Sequence, residues 1–324
     1  MLKLAFASIL FSAQLLNLSY AQDAGKYPTR PITFIATSAA GGTTDITARM
    51  LAQPLGVALG QPILVDNKAG ANGSIGAVAV AKSVPDGYTL MLQYSGYHII
   101  TPLVSKSIIP WSNKDFEPVA NVLSAPQLVV IRGDLPFKTL ADLIAYAKAN
   151  PGKLNYASAG NGSIQHVTGA MLEQQAGIKM THIPYKGSGP VLQDLLGGQV
   201  DVTFGTPPPF IPHIQSGKLK ALATTGKRRL PTLPDVPTAT EAGLPKFDAY
   251  SWFAVFAPAN TPAPIVNKLT TEIAKVVATP EFKQKAVDLG AEVNYMTPKQ
   301  LDEFVRGEYK RWEQVVKAAH IETD

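Results

Sequence analysis

The sequence predicts an α/β protein that is built from two similar units. Short apolar segments rich in β-branched and aromatic residues alternate with longer amphipathic segments, which is typical of parallel strands wound with helices. This alternation restarts near residue 127, so a second unit is expected there. After a proline-rich stretch between residues 227 and 247, strand character returns near residue 250, which indicates that the chain crosses back to the first unit.

The beginning of the 324-residue chain predicts export. Lys3 gives a basic start, residues 4–18 are apolar, and Ser19-Tyr20-Ala21 places small residues at the two cleavage-recognition positions. The apolar run is shorter than the roughly 20 residues that a membrane-spanning helix needs, and a polar segment follows it at once. We therefore expect a signal peptide over residues 1–21, cleavage near Ala21 and a soluble mature chain. An uncleaved amphipathic start is the alternative.

Composition and charge narrow the class of protein. The chain has no cysteine, which excludes disulfides, thiol nucleophiles, thiolate metal sites and an acylated cysteine anchor. Loss of the signal peptide removes only Lys3 from the formal net charge of +5. The only run of three basic residues is 227–229, whereas binding of nucleic acid or a membrane surface requires a dense basic stripe. Hydrophobic residues make up 46% of the sequence, which is ample for the cores of two domains.

The predicted elements follow the alternation in chain order. In the first unit, strands and helices take turns over residues 32–36, 43–59, 63–65, 74–83 and 88–92. In the second unit they take turns over residues 127–131, 139–149, 154–157, 164–175, 181–185, 190–196 and 200–204, with a further strand over 221–225. The return gives a strand over 251–257 and helices over 264–277, 280–288 and 298–319.

This order predicts two domains, over residues 27–124 plus 249–324 and over residues 125–248. The two crossovers between them lie side by side, which makes a two-strand hinge. Ligands of open α/β sheets bind beyond the carboxyl ends of the strands, so the two units are expected to face a shared cleft.

The loop after the first predicted strand has the residue types of an anion site. It contains a glycine pair and leads directly into the helix at residue 43; its candidate ligand-binding residues are Ser38, Ala40, Gly41, Gly42 and Asp45. Glycine lets the backbone approach a ligand closely, and the free N–H groups and dipole of a helix N-terminus favour negative charge. The alternative is a plain turn in which Thr43 or Thr44 caps the helix and Asp45 supports its first turn.

A similar loop follows the strand at residues 154–157 in the second unit. Its candidate ligand-binding residues are Ser158, Gly160, Asn161 and Ser163, together with His166 on the first turn of the next helix. Two such loops, one in each domain, would grip the two ends of a dicarboxylate, or a carboxylate and a polar remainder.

Other site types are not supported by the sequence. There is no complete dinucleotide fingerprint and no P-loop, and the five histidines are not paired at i,i+3 or i,i+4, so we expect no cofactor and no metal. A hydrolase using Ser163 and His166 is the main alternative function. No Gly-x-Ser-x-Gly frame surrounds any serine, and Ser163 has the position of a helix cap, so we expect a binding protein and not an enzyme.

Short stretches in a fixed order match one known family. Among them are Ala40-Gly-Gly-Thr-Thr-Asp45, Ser158-Ala-Gly-Asn-Gly-Ser163 with His166, and Leu196-Gly-Gly-Gln-Val-Asp201; the others are residues 27–32, 60–73, 86–90, 184–187, 234–238 and 261–264. On these stretches the chain resembles the Bug-type solute receptors, the substrate-binding components of tripartite tricarboxylate transporters. The resemblance covers nearly the whole mature sequence.

The resemblance implies a periplasmic, monomeric receptor with the two-domain Venus-flytrap fold. Such a receptor captures a small di-, tri- or aromatic carboxylate in the cleft and delivers it to membrane permease subunits. In the family the loops that match 38–45 and 158–163 hold the carboxylate, often partly through ordered water. A sensory receptor that signals to a membrane kinase is an alternative that the sequence does not separate from transport.

Two departures from the family pattern concern the ligand. Thr206 follows the strand at residues 200–204 where an acidic residue is common, which argues against a ligand amine there. Tyr94 and Ser95, with Tyr97, stand where the family has small and hydroxyl residues near the cleft, so the extra ring area favours an aromatic or larger carboxylate. Of the aromatic residues near the cleft we expect at least half to serve packing: Tyr94, Tyr97, His98, Phe210, Tyr250 and Trp252.

Overall fold

A computed structural model describes residues 26–104, 109–318 and 321 of the chain. The predicted signal peptide lies outside these residues. Two β-sheets with helices packed on them make up the described part, as the alternating pattern predicts.

The first sheet has six strands: β1 (Ile32–Ala36), β2 (Ile63–Asn67), β3 (Thr89–Tyr94), β4 (Phe116–Pro126), β10 (Tyr250–Pro258) and β11 (Glu292–Met296). Their order across the sheet is β11-β4-β10-β3-β1-β2. The second sheet has five strands: β5 (Leu128–Arg132), β6 (Asn155–Ser158), β7 (Thr181–Pro184), β8 (Val202–Gly205) and β9 (Leu219–Thr224). Their order is β7-β6-β8-β5-β9.

The helices connect these strands and cover the sheets. They are α1 (Thr43–Leu59), α2 (Ser74–Ala81), α3 (Thr101–Val104), α4 (Leu140–Ala149), α5 (Ile164–Ala176), α6 (Ser188–Leu196), α7 (Ile211–Gln215), α8 (Ala263–Ala278), α9 (Pro280–Asp288) and α10 (Pro298–Ala318). A π-helical turn (Gly96–Ile100) precedes α3, and a 3-10 turn (Asn113–Asp115) precedes β4.

The sheets are mixed and not parallel throughout, which corrects the sequence prediction on this point. Strands β1, β2 and β3 pair in parallel, as do β6, β7 and β8. Strand β10 runs antiparallel to β3 and β4, and β5 runs antiparallel to β8 and β9. The strand that enters each sheet at a crossover, β10 in the first sheet and β5 in the second, runs against the strands of the wound core, because the chain comes into that sheet from the other one.

The two crossovers lie side by side, as predicted. Only Gln127 separates β4 from β5, and its backbone N–H donates to Ala249 O at 3.3 Å, just before β10 begins. Its side-chain Nε2 donates to Ser251 Oγ at 2.8 Å, and its carbonyl accepts from Thr225 N at 2.8 Å. This confirms the two-strand hinge and leaves the carboxyl ends of β1, β3, β6 and β8 facing the space between the sheets.

Candidate functional site

A small cavity lies between the two sheets, where the loops after several parallel strands meet. Its volume is only about 10 Å³, and its lining comes from both units: Ser38, Thr43, Thr44, Tyr94, Tyr97, Ala159, Gln165, Gly187, Ser188, Thr206 and Phe253. Three of the predicted ligand-binding residues, Ser38, Tyr94 and Thr206, line it directly. The described lining contains no charged side chain, so an ion placed here would meet only hydroxyls, one amide, aromatic rings and the backbone.

The N-terminal ends of α1, α5 and α6 meet at this cavity. Thr43 and Thr44 come from the first turn of α1, Gln165 from that of α5 and Ser188 from that of α6. The N-cap positions of α1 and α6 are Gly42 and Gly187, and no described side chain caps either helix. The first N–H groups of a helix have no partner within it and carry a positive partial charge, so these ends favour an anion in the cavity.

The predicted loop before α1 is held by Asp45. Asp45 Oδ2 accepts a hydrogen bond from Gly41 N at 2.9 Å, and its Oδ1 lies 2.9 Å from Arg49 Nε. Arg49 Nη2 donates to Asn67 Oδ1 at 3.1 Å, and Asn67 Nδ2 donates to Ser38 O at 3.1 Å. These contacts give Asp45 the supporting position that the alternative reading of the loop expected. Neither Thr43 nor Thr44 acts as the cap, because the helix already begins at Thr43.

The loop before α5 is held by hydroxyl and imidazole groups. Ser158 Oγ accepts from Gly160 N at 3.1 Å and lies 2.6 Å from His182 Nε2. Ser163 is the N-cap of α5, and its hydroxyl accepts from His166 N at 3.2 Å. The Nδ1 of His166 accepts from Gly162 N at 3.2 Å, which places the proton of the neutral ring on Nε2.

The rings of His166 and His182 stack at 4.0 Å with 2° between their planes. Burial lowers the pKa of His166 to about 4. Burial and the neighbouring His166 lower the pKa of His182 to about 3. Both imidazoles are therefore neutral near pH 7, and neither supplies a positive charge to the site.

Backbone segments of the two units approach closely beside the cavity. A Cβ added to Gly189 would lie 2.4 Å from Ala40 O, and one added to Gly187 would lie 3.2 Å from Ala39 N. A Cβ at Gly42 would lie 3.6 Å from Gly189 N. The hydroxyls of Thr43 and Thr206 join the units at 2.6 Å.

Two tyrosines of the first unit bond to the second unit with their hydroxyls. Tyr94 Oη donates to Gln165 Oε1 at 2.7 Å and accepts from Ile164 N at 2.8 Å. Tyr97 Oη donates to Ala159 O at 2.6 Å. Both rings are buried, and they meet edge to face at 5.0 Å between centroids. They fill part of the cleft instead of widening it, so the room for a large ligand that their ring area suggested is not found at these positions.

The remaining predicted residues lie around the cavity in supporting positions. Ser95 Oγ accepts from Trp252 N at 3.2 Å, and the backbone carbonyl of Asn161 accepts from Asn72 Nδ2 at 2.6 Å. Of the aromatic candidates, His98 stacks on Phe256 at 4.4 Å in the core of the first unit, and Trp252 and Phe210 are also buried core residues. Packing therefore accounts for these three.

Sequence reasoning missed the part of the site that belongs to α6. Gly187 and Ser188 line the cavity, but the helix was predicted to begin only at Pro190. The sequence did contain a signal for this part of the site, because a glycine and a serine follow β7 closely, just as glycine and serine follow β1 and β6. Gln165 and Phe253 carried no comparable signal.

Two further findings concern the described residues only. They contain no group of three or more histidine, aspartate or glutamate side chains that would hold a metal ion. None of their helices is both long enough and apolar enough to cross a membrane.

Comparison with known proteins identifies the family. Residues 47–321 match the model of the tripartite tricarboxylate transporter family receptor. The chain belongs to this family. It is 39% identical to protein BugT of Bordetella pertussis over 296 residues, which cover 91% of each chain. The Bug-type resemblance is thereby confirmed, and with it the class of periplasmic solute receptor.

Solved structures of similar proteins agree in fold with this receptor. R. palustris Rpa4515, solved with adipate, has a TM-score of 0.89 at 36% identity and covers 91% of this chain and 99% of its own. MatC from Rhodopseudomonas palustris, solved with bound malate, has a TM-score of 0.84 at 35% identity and covers 90% of this chain and 100% of its own. The two-domain binding-protein fold that the sequence predicted is therefore confirmed.

Proposed function

We propose that the receptor binds a small organic carboxylate in the cavity between its two sheets and delivers it to the permease subunits of a tripartite transporter. The observation that carries this proposal is the meeting of the N-termini of α1, α5 and α6 at one cavity whose described lining holds no charged side chain. Backbone N–H groups and helix dipoles favour a single compact anion at such a place. The adipate and malate of the two similar structures are both carboxylates, which supports this ligand class.

Binding and closure are one equilibrium in this proposal. Loops from both sheets line the cavity, so a ligand that touches both stabilises the closed arrangement by its differential affinity for it. The neutral His166 and His182 hold the backbone of the loop before α5 in place. The attraction for the anion therefore comes from the helix ends. Burial there strengthens each hydrogen bond to the carboxylate, because the surroundings are less polarisable than water.

A thermal-shift screen of the mature chain tests the ligand class. The panel contains mono-, di-, tri- and aromatic carboxylates, each paired with its neutral amide, with sulfate and phosphate as other anions. We expect one group of carboxylates to raise the melting temperature and their amides to leave it unchanged, with stoichiometric binding confirmed by calorimetry. If no carboxylate raises it, or if each amide acts like its acid, the proposal is wrong.

The finer assignments belong to the same proposal. We infer two domains, residues 27–124 plus 249–324 and residues 125–248, and a monomer that is exported with its signal peptide removed near Ala21. The predicted site is Ser38, Ala40, Gly41, Gly42, Asp45, Tyr94, Ser95, Ser158, Gly160, Asn161, Ser163, His166 and Thr206. N-terminal sequencing of the periplasmic form and light scattering test the processing site and the monomer.

We also propose that the receptor binds without turnover. The Ser163 hydroxyl accepts from the backbone of His166, and His166 Nδ1 accepts from Gly162 N, so neither group is arranged as nucleophile and base. Recovery of the bound carboxylate unchanged after prolonged incubation is the expected result. A new product that disappears with Ser163→Ala would instead support the hydrolase alternative.

A further inference from the structure

The hydroxyl of Tyr94 stands at the N-terminus of α5. It accepts a hydrogen bond from Ile164 N at 2.8 Å, and Ile164 is the first residue of that helix. It also donates to Gln165 Oε1 at 2.7 Å, in the same helical turn. The Ile164 N–H is one of the donors that a helix leaves free at its start, so the phenol oxygen occupies the position that a ligand oxygen would take there.

The ring of Tyr94 is fixed in this position by its neighbours. It stacks on Phe253 at 6.0 Å between centroids and meets Tyr97 edge to face at 5.0 Å. A Cβ at Gly96 would lie 2.5 Å from the ring, so only glycine leaves room for it. Burial raises the pKa of Tyr94 well above its ordinary value, so the hydroxyl stays neutral and brings an oxygen without negative charge.

The other helix ends at the cavity are open by comparison. No described side chain caps α1 or α6, while two of the donors at the start of α5 are taken, His166 N by Ser163 and Ile164 N by Tyr94. The cavity holds about 10 Å³, which is about the space of one water molecule and far below the roughly 300–1,000 Å³ that is usual for small-molecule sites. The cleft must therefore widen to admit a ligand, and a carboxylate with a short remainder, bound to the unpaired donors of α1 and α6, requires the least widening.

We propose that Tyr94 is a specificity-determining residue that takes the second anion position of the cleft, so that the receptor prefers a short monocarboxylate over dicarboxylates. This inference rests on the proposed carboxylate-binding function. A ligand carboxylate sits at the ends of α1 and α6, and its remainder packs against the Tyr94 ring. A second carboxylate would have to displace the phenol oxygen from Ile164 N.

Calorimetry on the mature chain with lactate, propionate, succinate and adipate tests this assignment. The wild-type receptor is expected to bind a monocarboxylate more tightly than succinate or adipate. Tyr94→Ala removes the ring and frees the Ile164 N–H, so the Kd ratio of dicarboxylate to monocarboxylate should fall by about tenfold or more. Tyr27→Phe is the matched control. It removes a buried tyrosine hydroxyl that donates to the carbonyl of Gly87 away from the cavity, and the ratio should stay as in wild type.

The outcomes separate this inference from the proposed function. Wild-type preference for succinate or adipate, or an unchanged ratio in Tyr94→Ala, overturns the role of Tyr94 and leaves carboxylate binding intact. Failure of the wild type to bind any of the four overturns the inference, and the broader panel then decides the proposed function. Circular dichroism checks that Tyr94→Ala is folded; if it is not, Tyr94→Leu, which keeps an apolar side chain against Phe253, takes its place with the same expected change in ratio.

Discussion

Gly189 is a residue at which the backbones of the two units approach closely. An added Cβ would meet Ala40 O at 2.4 Å, although the φ of Gly189 lies outside the left-handed region. The conflict in Gly189→Ala therefore arises between the units and not within α6, where alanine is intrinsically preferred over glycine by about 1 kcal/mol. We expect carboxylate affinity to fall by at least about tenfold, since closure must now be strained, while the melting temperature of the unliganded chain does not fall.

The matched control for this variant is Gly307→Ala. Gly307 lies in α10 with nothing within 4 Å of an added Cβ, so the same substitution should leave affinity unchanged. Calorimetric Kd values for wild type and the two variants make the comparison. Wild-type affinity in Gly189→Ala would mean that the two loops do not approach each other in the bound form.

The stacked pair of His166 and His182 makes stability depend on pH. Their folded-state pKa values, about 4 and about 3, lie below the ordinary value of 6.5. Between these limits the unfolded chain binds more protons than the folded one, so the free energy of unfolding falls as the pH is lowered from about 6.5 towards 4. His182→Gln should reduce this slope by about one proton, measured by denaturant unfolding across that window. His98, whose pKa burial lowers to about 3, leaves a residual slope.

His213→Gln on α7 controls for the loss of any histidine, because His213 lies outside the stacked pair. Wild type and His182→Gln with the same slope would show that the pair does not stay neutral in the folded protein.

At the scale of elements, the sequence predicted those helices and strands whose determining residues lie within the element itself. The bounds predicted for α1 and β1 agree with the structure because caps, glycines and periodicity lie within those segments. Strand β4 was not predicted, because Pro118 and Pro126 disfavour a strand. It forms because it pairs with β10 and β11, which are distant in sequence. The same distinction applies to the residues of the site. The glycine loops were predicted from local sequence, but the contact of Tyr94 with Ile164 joins residues 70 positions apart and leaves no local signal.

The loop before α1 depends on Asp45 as a supporting residue. Asp45→Ala leaves Gly41 N without its acceptor and Arg49 Nε without its carboxylate, both near the start of a helix where a carboxylate is favourable. We expect the free energy of unfolding to fall by about 1–3 kcal/mol and the carboxylate to bind more weakly, because the loop loses its fixed geometry. Denaturant unfolding and calorimetry measure the two effects.

Asp66→Ala provides the comparison from the neighbouring strand β2. Asp66 pairs with Lys68 at 3.0 Å with both side chains well exposed, and such pairs contribute about 0–1 kcal/mol. Asp45→Ala and Asp66→Ala with equal effects would argue against a supporting role for Asp45.

At the scale of the whole molecule, closure depends on direct bonds between the units as well as on the ligand. The hydrogen bonds that join the first unit to the second include Asn72 with Asn161, Tyr97 with Ala159, and Thr43 with Thr206 in the cavity wall. In an open form these groups would bond to water, so each bond contributes only its small net value to closure. The ligand then shifts an equilibrium that is already balanced between the two forms.

The hydroxyls of Thr43 and Thr206, 2.6 Å apart, allow this balance to be measured. Thr206→Val keeps the shape but leaves Thr43 unpaired on closure, which costs about 1 kcal/mol and lowers carboxylate affinity about fivefold. Thr43→Val should act alike. When both are valine, no buried hydroxyl is left without a partner, so the double variant should recover most of the wild-type affinity. If the double variant instead loses the sum of the two single effects, each hydroxyl contacts the ligand separately and their mutual bond does not control closure.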